Sequence, residues 1–301
     1  MRPDTGLAHG RVIAVHGRHC MVELDDGSIL KCFPRGKKSE VAVGDYVSLQ
    51  TQGDAEGVIE QLHDRRNLLY RSDDMRTKQF AANVDQLLIV VAVEPAFSPD
   101  LIGRALVAAQ SAGITPLIIL NKTDLAAGLQ PVRQRIRNLT TEETPIIEIS
   151  ALDLDSTRAA LLPFLANRTS LLLGQSGMGK STILNALAPE AQAHTQEHSI
   201  ALDAGKHTTT STRLYHLPHG GDLIDSPGFQ TFGLFHLSPG EVERGFPEFA
   251  DYAKDCRFYN CAHRHEPGCG VLFALKSGGI TQERHDLYLR ILAENEARTR
   301  Y

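Results

Sequence analysis

From Gly10 to about Tyr70, apolar and polar positions alternate in short runs separated by turn-forming residues. The runs cover residues 11–15, 20–24, 28–33, 46–50 and 57–62. The punctuation between them is Asp26-Gly27, Pro34-Arg35-Gly36, Gly44-Asp45 and Gln52-Gly53-Asp54. A period of two with turns at this spacing predicts about five strands of an OB-type barrel. The pattern then changes. After a polar linker at residues 73–78, residues 87–93 are continuously apolar, as expected of a parallel strand buried on both faces. Helix periodicity follows at 99–110, starting from Ser98 or Asp100, and a second strand at 115–120. Further strands are expected at 145–149, 169–173, 214–217 and 222–224, with helices at 156–166 and 181–187. Strands alternating with helices predict an open α/β sheet. Residues 239–252 and 281–298 look helical, and the second alternates charged and apolar positions as an amphipathic helix does.

One stretch in this centre carries a specific chemistry. Gly174-Gln175-Ser176-Gly177-Met178-Gly179-Lys180-Ser181-Thr182 fits G-x-x-x-x-G-K-[ST], and it lies between an expected strand and an expected helix. Glycines let backbone N–H groups close around a polyphosphate, and the helix start adds partial positive charge. Lys180 is placed for the β/γ-phosphates and Ser181 for Mg²⁺. A flexible Gly/Ser turn is the alternative, disfavoured by the flanks.

Asn121-Lys122-Thr123-Asp124 stands at the carboxyl end of a strand, where open α/β sheets bind ligands. A carboxylate at Asp124 can accept two N–H groups from a guanine edge; adenine lacks that pair and would leave the carboxylate unpaired. The Lys122 stem can lie against the ring, and Asn121 can tie the loop together. Ser150-Ala151-Leu152 matches a turn that contacts the guanine carbonyl in GTP-binding proteins. Asp225-Ser226-Pro227-Gly228 is a D-x-x-G, in which Asp225 can orient Mg²⁺ through water and the Gly228 amide can bond a γ-phosphate. Gly205-Lys206-His207-Thr208-Thr209-Thr210 reads as a switch-like loop. One of its threonines is expected on Mg²⁺, with Thr209 favoured over Thr208 and Thr210. The position after D-x-x-G is Phe229, which cannot orient a water, and Gln230 comes one residue late. Slow intrinsic turnover is therefore expected, with His207 as the candidate that positions or polarises the water.

Composition narrows the rest. The chain has 301 residues, room for two or three domains. A net charge of −5 excludes a simple basic nucleic-acid binder, so RNA contact would come from local patches. Arg35-Gly36-Lys37-Lys38 is one such turn. No apolar leader opens the chain and no segment reaches membrane-spanning length, which points to a cytoplasmic protein. Nothing calls for a dimer, so a monomer is expected. Of five cysteines, Cys20 and Cys32 lie within strands and read as buried free thiols. Cys256, Cys261 and Cys269, with His263, form a Cys₃His set suited to structural Zn²⁺. His265 is a spare imidazole, and Pro267-Gly268 supplies the bend before the last thiol. With few large apolar residues near it, this segment is expected to need the metal to fold.

The motif order is base loop, phosphate loop, switch, D-x-x-G, whereas ordinary GTPases place the base loop after the other three. Together with the barrel, Ala81-Ala82-Asn83-Val84-Asp85-Gln86 and the cysteine cluster, it resembles the RsgA (YjeQ/EngC) family of circularly permuted GTPases over nearly the full length. The resemblance implies three domains: an OB-fold barrel over residues 1–72, a permuted P-loop GTPase domain over 73–236 and a mostly helical zinc-binding subdomain over 237–301. It also implies a GTP hydrolase acting late in small (30S) ribosomal subunit assembly. Such proteins contact rRNA, bind the subunit with GTP and leave on hydrolysis. A histidine in the position of His207 is implicated in that hydrolysis. The competing readings are a nucleic-acid-binding module that holds nucleotide only structurally, and an ATP-using P-loop enzyme, against which Asn121–Asp124 argues.

Overall fold

The computed structural model describes residues 7–35, 41–72, 77–189, 191, 212–226 and 234–299. The alternating N-terminal runs become β1 (Ala8–His16), β2 (His19–Leu24), β3 (Ile29–Pro34), β4 (Tyr46–Gln52) and β5 (Glu56–Leu62). They pair in the order β1-β2-β3-β5-β4 and close through β1 on β4. β3 and β5 are parallel, and the other pairs are antiparallel. This is a five-stranded OB-type barrel. Its small core holds Val12, Val22, Leu30, Val47, Leu49 and Ile59, with both strand cysteines among them. Cys20 and Cys32 are directly opposed and unoxidised, and burial pushes their thiols up to about 12 and about 11, which makes them inert packing groups.

A hairpin of β6 (Leu68–Ser72) and β7 (Thr77–Ala82) follows. Part of the expected linker is therefore strand: Thr77 pairs with Ser72 and Lys78 with Arg71. Polar residues in a two-stranded ribbon leave no alternating apolar signature, so local pattern did not show it.

The second layer is built on β8 (Gln86–Ala92), β9 (Thr115–Asn121), β10 (Ile146–Glu148), β11 (Thr169–Leu173), β12 (Arg213–His216) and β13 (Asp222–Asp225). Their order is β10-β9-β8-β11-β13-β12, parallel except for the edge strand β12. Every residue of β8 is buried, as its unbroken apolar run requires. A single register pair, Ala14 with Arg213, joins this sheet to the barrel. Helices α1 (Pro99–Ser111), α2 (Ala126–Leu139), α3 (Leu154–Leu165) and α4 (Lys180–Leu187) alternate with the strands. Ser98 caps α1 by accepting from the Leu101 amide, with Pro99 in the first turn. Periodicity did not reveal α2, because Pro131 lies inside it and only Ile136 and Leu139 are buried.

The C-terminal segment holds α5 (Pro239–Arg244), α6 (Phe249–Ala253), α7 (Gly270–Ser277) and α8 (Gln282–Thr299). The expected helix at 239–252 is thus two helices. Pro247 lies between them, has no N–H for an intrahelical bond and disfavours helix in Phe246 before it. The expectation of few large apolar residues here is also corrected. Leu237, Phe246, Phe249, Val271, Leu287, Tyr288 and Ile291 are buried in the same cluster as the α/β sheet. Helix α8 packs along α1, where Arg104 pairs with Glu294 at 2.6 Å and Leu287 lies over Gly103.

Candidate nucleotide site and metal centre

The phosphate loop joins β11 to α4. Gly179 caps α4 with φ +94°, a conformation that L side chains rarely adopt, and a Cβ there would stand 2.2 Å from the Asn121 side-chain nitrogen. Lys180 folds back, donating to the carbonyls of Gly174 (2.7 Å) and Gln175 (2.8 Å). Ser181 and Thr182 are exposed on the first turn of α4, and Ser176 is exposed in the loop. The Met178 side chain is buried in the main core.

β9 ends at Asn121, and its side chain is the joint of the site. Its amide nitrogen donates to the Met178 carbonyl (2.9 Å), and its oxygen accepts from the Ala151 amide (2.9 Å). Lys122, with φ +62°, reaches across to donate to the Gly177 carbonyl at 2.8 Å. The Thr123 amide donates to Ile149, which seats the loop against the end of β10. Ser150 donates to a carboxylate oxygen of Asp124 at 2.6 Å and so holds that acid in one orientation. The Ser150 carbonyl is itself fixed by Thr157 on α3 (3.1 Å). The Gln175 side-chain oxygen accepts from the Ser98 amide at 2.6 Å, tying the glycine-rich loop to the start of α1. Sequence reasoning placed Ser98 only as a helix start. No motif marks a contact 77 residues apart.

Asp225 ends β13 beside β11, in register with Leu172. Burial pushes its carboxyl up to about 6, against the attraction of Lys180. Burial likewise holds the Lys180 ammonium below its ordinary value, against the field of Asp225. Each group is thus desolvated and partly offset by the other, a pairing that marks a candidate functional site. His207, Thr208, Thr209, Thr210, Gly228, Phe229 and Gln230 lie outside the described residues, as do Gly36, Lys37 and Lys38 of the basic turn.

Far along the chain, the ligand atoms of Cys256, Cys261, His263 and Cys269 all lie within 4.8 Å of one another. Cys256 Sγ is 3.8 Å from Cys269 Sγ and 3.6 Å from His263 Nδ1, and that nitrogen is 3.3 Å from Cys269 Sγ. A tetrahedron with Zn–S of about 2.3 Å and Zn–N of about 2.0 Å has edges of about 3.8 and 3.5 Å, so the set fits Zn²⁺. Cys269 caps α7 and accepts from the Leu272 amide at 3.4 Å. Burial opposes a Cys269 thiolate, but that amide, His263 and the neighbouring thiols outweigh it, and its pKa lies below the ordinary thiol value. The second nitrogen of His263 is 3.6 Å from Glu243, an ion-pair rather than hydrogen-bond distance. His285 Nε2 contacts the His263 carbonyl at 2.8 Å and fixes the loop from α8. His265 is exposed and outside the set.

Residues 62–235 match the family model described as RsgA GTPase. The chain belongs to the RsgA GTPase family. It is 63% identical over 299 residues to the small ribosomal subunit biogenesis GTPase RsgA of Bordetella pertussis, covering 99% of this chain and all of that one. It is 55% identical to the protein of the same name from Ralstonia pickettii, over 96% of this chain and 93% of that one. Among solved structures, YjeQ from Thermotoga maritima superposes with a TM-score of 0.72 at 30% identity, covering 96% of this chain and 98% of that one. YloQ, described as a circularly permuted GTPase, gives 0.70 at 26% over 99% and 98%. In this chain Asn121–Asp124 starts at the end of β9, the glycine-rich loop follows β11 and Asp225 ends β13. Membership makes the chain a GTP-hydrolysing enzyme, with barrel, permuted GTPase sheet and Cys₃His cluster all present. Among the described residues no helix is long and apolar enough to cross a membrane.

Proposed function

We propose that this enzyme hydrolyses GTP to GDP and phosphate as a late-acting assembly factor of the small (30S) ribosomal subunit in the cytoplasm. It binds the immature subunit with GTP, is stimulated by it and leaves on hydrolysis. The observation that carries the nucleotide half is Asn121, which joins the phosphate loop to the Ser150-Ala151 turn while Ser150 aims Asp124. The ribosomal half is supported by the names of full-length relatives.

In this reading the barrel of residues 1–72 and the subdomain of 237–301 contact rRNA, and 73–236 is the nucleotide engine. Asn121, Lys122, Thr123, Asp124, Ser150 and Ala151 hold guanine. Gly174 through Thr182 hold the phosphates, with Gln175 acting through its backbone. Ser181 and Thr209 hold Mg²⁺, with Asp225 acting through water; Mg²⁺ supplies charge neutralisation at the β/γ-oxygens. Gly228 senses the γ-phosphate and His207 positions the attacking water. Cys256, Cys261, His263 and Cys269 hold one structural Zn²⁺. The protein acts as a monomer.

The test is GTP hydrolysis by the purified protein with and without small subunits, with ATP as control. GTP-specific stimulation by the subunit is expected. Flat, slow turnover in both conditions removes the ribosomal partner, and equal affinity of the GTP-bound and GDP-bound protein for the subunit removes the release step.

A further inference from the structure

The loop between the first two thiols turns two adjacent aromatic rings to solvent. Tyr259 is fully exposed and Phe258 keeps 41% of its surface accessible. The Arg257 guanidinium lies over the Phe258 ring, 5.6 Å from its centroid. Lys254, Arg257, Phe258 and Tyr259 line a cleft of about 370 Å³ that borders Cys256, Cys261 and His263 of the Cys₃His set, and Glu243 stands in its wall. The loop is anchored on both sides: the Arg257 amide donates to Gly268 (2.9 Å) and the Cys261 amide to Phe258 (3.2 Å). The rings are thus presented by a fixed backbone, yet the core does not use them.

We propose that this cleft takes an unpaired RNA base. The inference rests on the ribosomal reading above and names where the C-terminal segment touches its RNA. Phe258 and Tyr259 offer stacking faces, and Arg257 adds a cation beside a ring. Arg257 provides charge for a flanking phosphate, and Lys254, 3.1 Å from Asp251, is the second cation at the rim. Glu243 can accept from a base N–H. A protein partner fits less well. The apolar surface is two rings flanked by Asp255, Arg257 and Asn260, too small for the apolar centre of a protein interface. A duplex keeps its base faces stacked on one another and cannot present one to these rings.

The experiment compares the full-length protein, the Phe258→Ala/Tyr259→Ala double variant and Tyr259→Phe. The probes are a short single-stranded RNA of mixed sequence, its duplex, and small ribosomal subunits. Melting temperature and subunit-free GTP turnover serve as folding controls. The double variant is expected to bind the single strand about tenfold more weakly, with Tyr259→Phe near wild type and duplex binding unchanged. Unchanged single-strand affinity in the double variant overturns the proposal. So does loss of subunit binding with oligonucleotide binding intact, which assigns the rings to a protein. Ring-dependent oligonucleotide binding by a wild-type protein that ignores the subunit supports the cleft and defeats the ribosomal assignment instead.

Discussion

Asn121 donates its side-chain amide to the Met178 carbonyl at 2.9 Å, and both partners are buried. The same side chain accepts from Ala151, so one residue joins the glycine-rich loop after β11 to the turn after β10. Asn121→Ala leaves a buried carbonyl and a buried N–H unpaired, each at a cost of about 1–3 kcal/mol. GTP affinity is expected to fall by at least about tenfold with a lowered melting temperature, read by titration calorimetry and thermal unfolding. Wild-type affinity in a folded variant would remove Asn121 as the joint.

Asp225 supplies a pH dependence. An ordinary carboxyl titrates near 4, and here burial raises it to about 6. Between those values the native chain holds a proton that the unfolded chain has lost. This group therefore favours the nucleotide-free fold at low pH, and that contribution is lost as pH rises through about 6. Orienting Mg²⁺ requires the ionised form, so Mg²⁺-dependent GTP affinity should strengthen over the same interval. Asp225→Asn should flatten the dependence; an unchanged profile would assign the titration to another group.

His207→Ala tests the role expected from sequence. Subunit-stimulated hydrolysis should be lost while GTP affinity stays at the wild-type level, because the residue is asked to act on water rather than on bound nucleotide. Stimulated rates that survive would transfer the role elsewhere.

The metal prediction follows from how the C-terminal segment is packed. Phe246, Phe249, Tyr288 and Ile291 share one core with the GTPase sheet. Chelation of Zn²⁺, or Cys256→Ser, should lower the melting temperature and free the 256–269 loop to proteolysis without unfolding the chain. Global unfolding on chelation would show that the metal, not the shared core, holds this segment.

Gly103 is where α8 meets α1. A Cβ there would lie 2.0 Å from a methyl carbon of Leu287. Gly103→Ala should destabilise by about 1–3 kcal/mol through overpacking, although alanine is the better helix former. Gly103→Ala/Leu287→Ala should recover part of the loss on the same denaturation curve, which distinguishes a clash from a propensity effect.

The chain's own sequence determined what is local. Barrel strands follow from alternation, β8 from an unbroken apolar run, and the glycine-rich loop and the Cys₃His cluster from spacing within short segments. In each case the residues that cooperate are close in sequence, so their types and intervals carry the chemistry. Tertiary structure alone decided what depends on distant partners. Asn121 finds Met178 57 residues away and Ala151 30 residues away, and the Gln175 side chain meets Ser98 77 residues away. The same holds for α2, with its two buried residues, and for the β6–β7 ribbon, neither of which periodicity revealed. The C-terminal segment joined the central core because seven of its large apolar side chains, unremarkable one by one in the sequence, gain burial only against a sheet built far earlier in the chain. Hydrophobic burial is non-directional and indifferent to sequence separation, so the pairing of such faces is legible only once the chain has been closed upon itself.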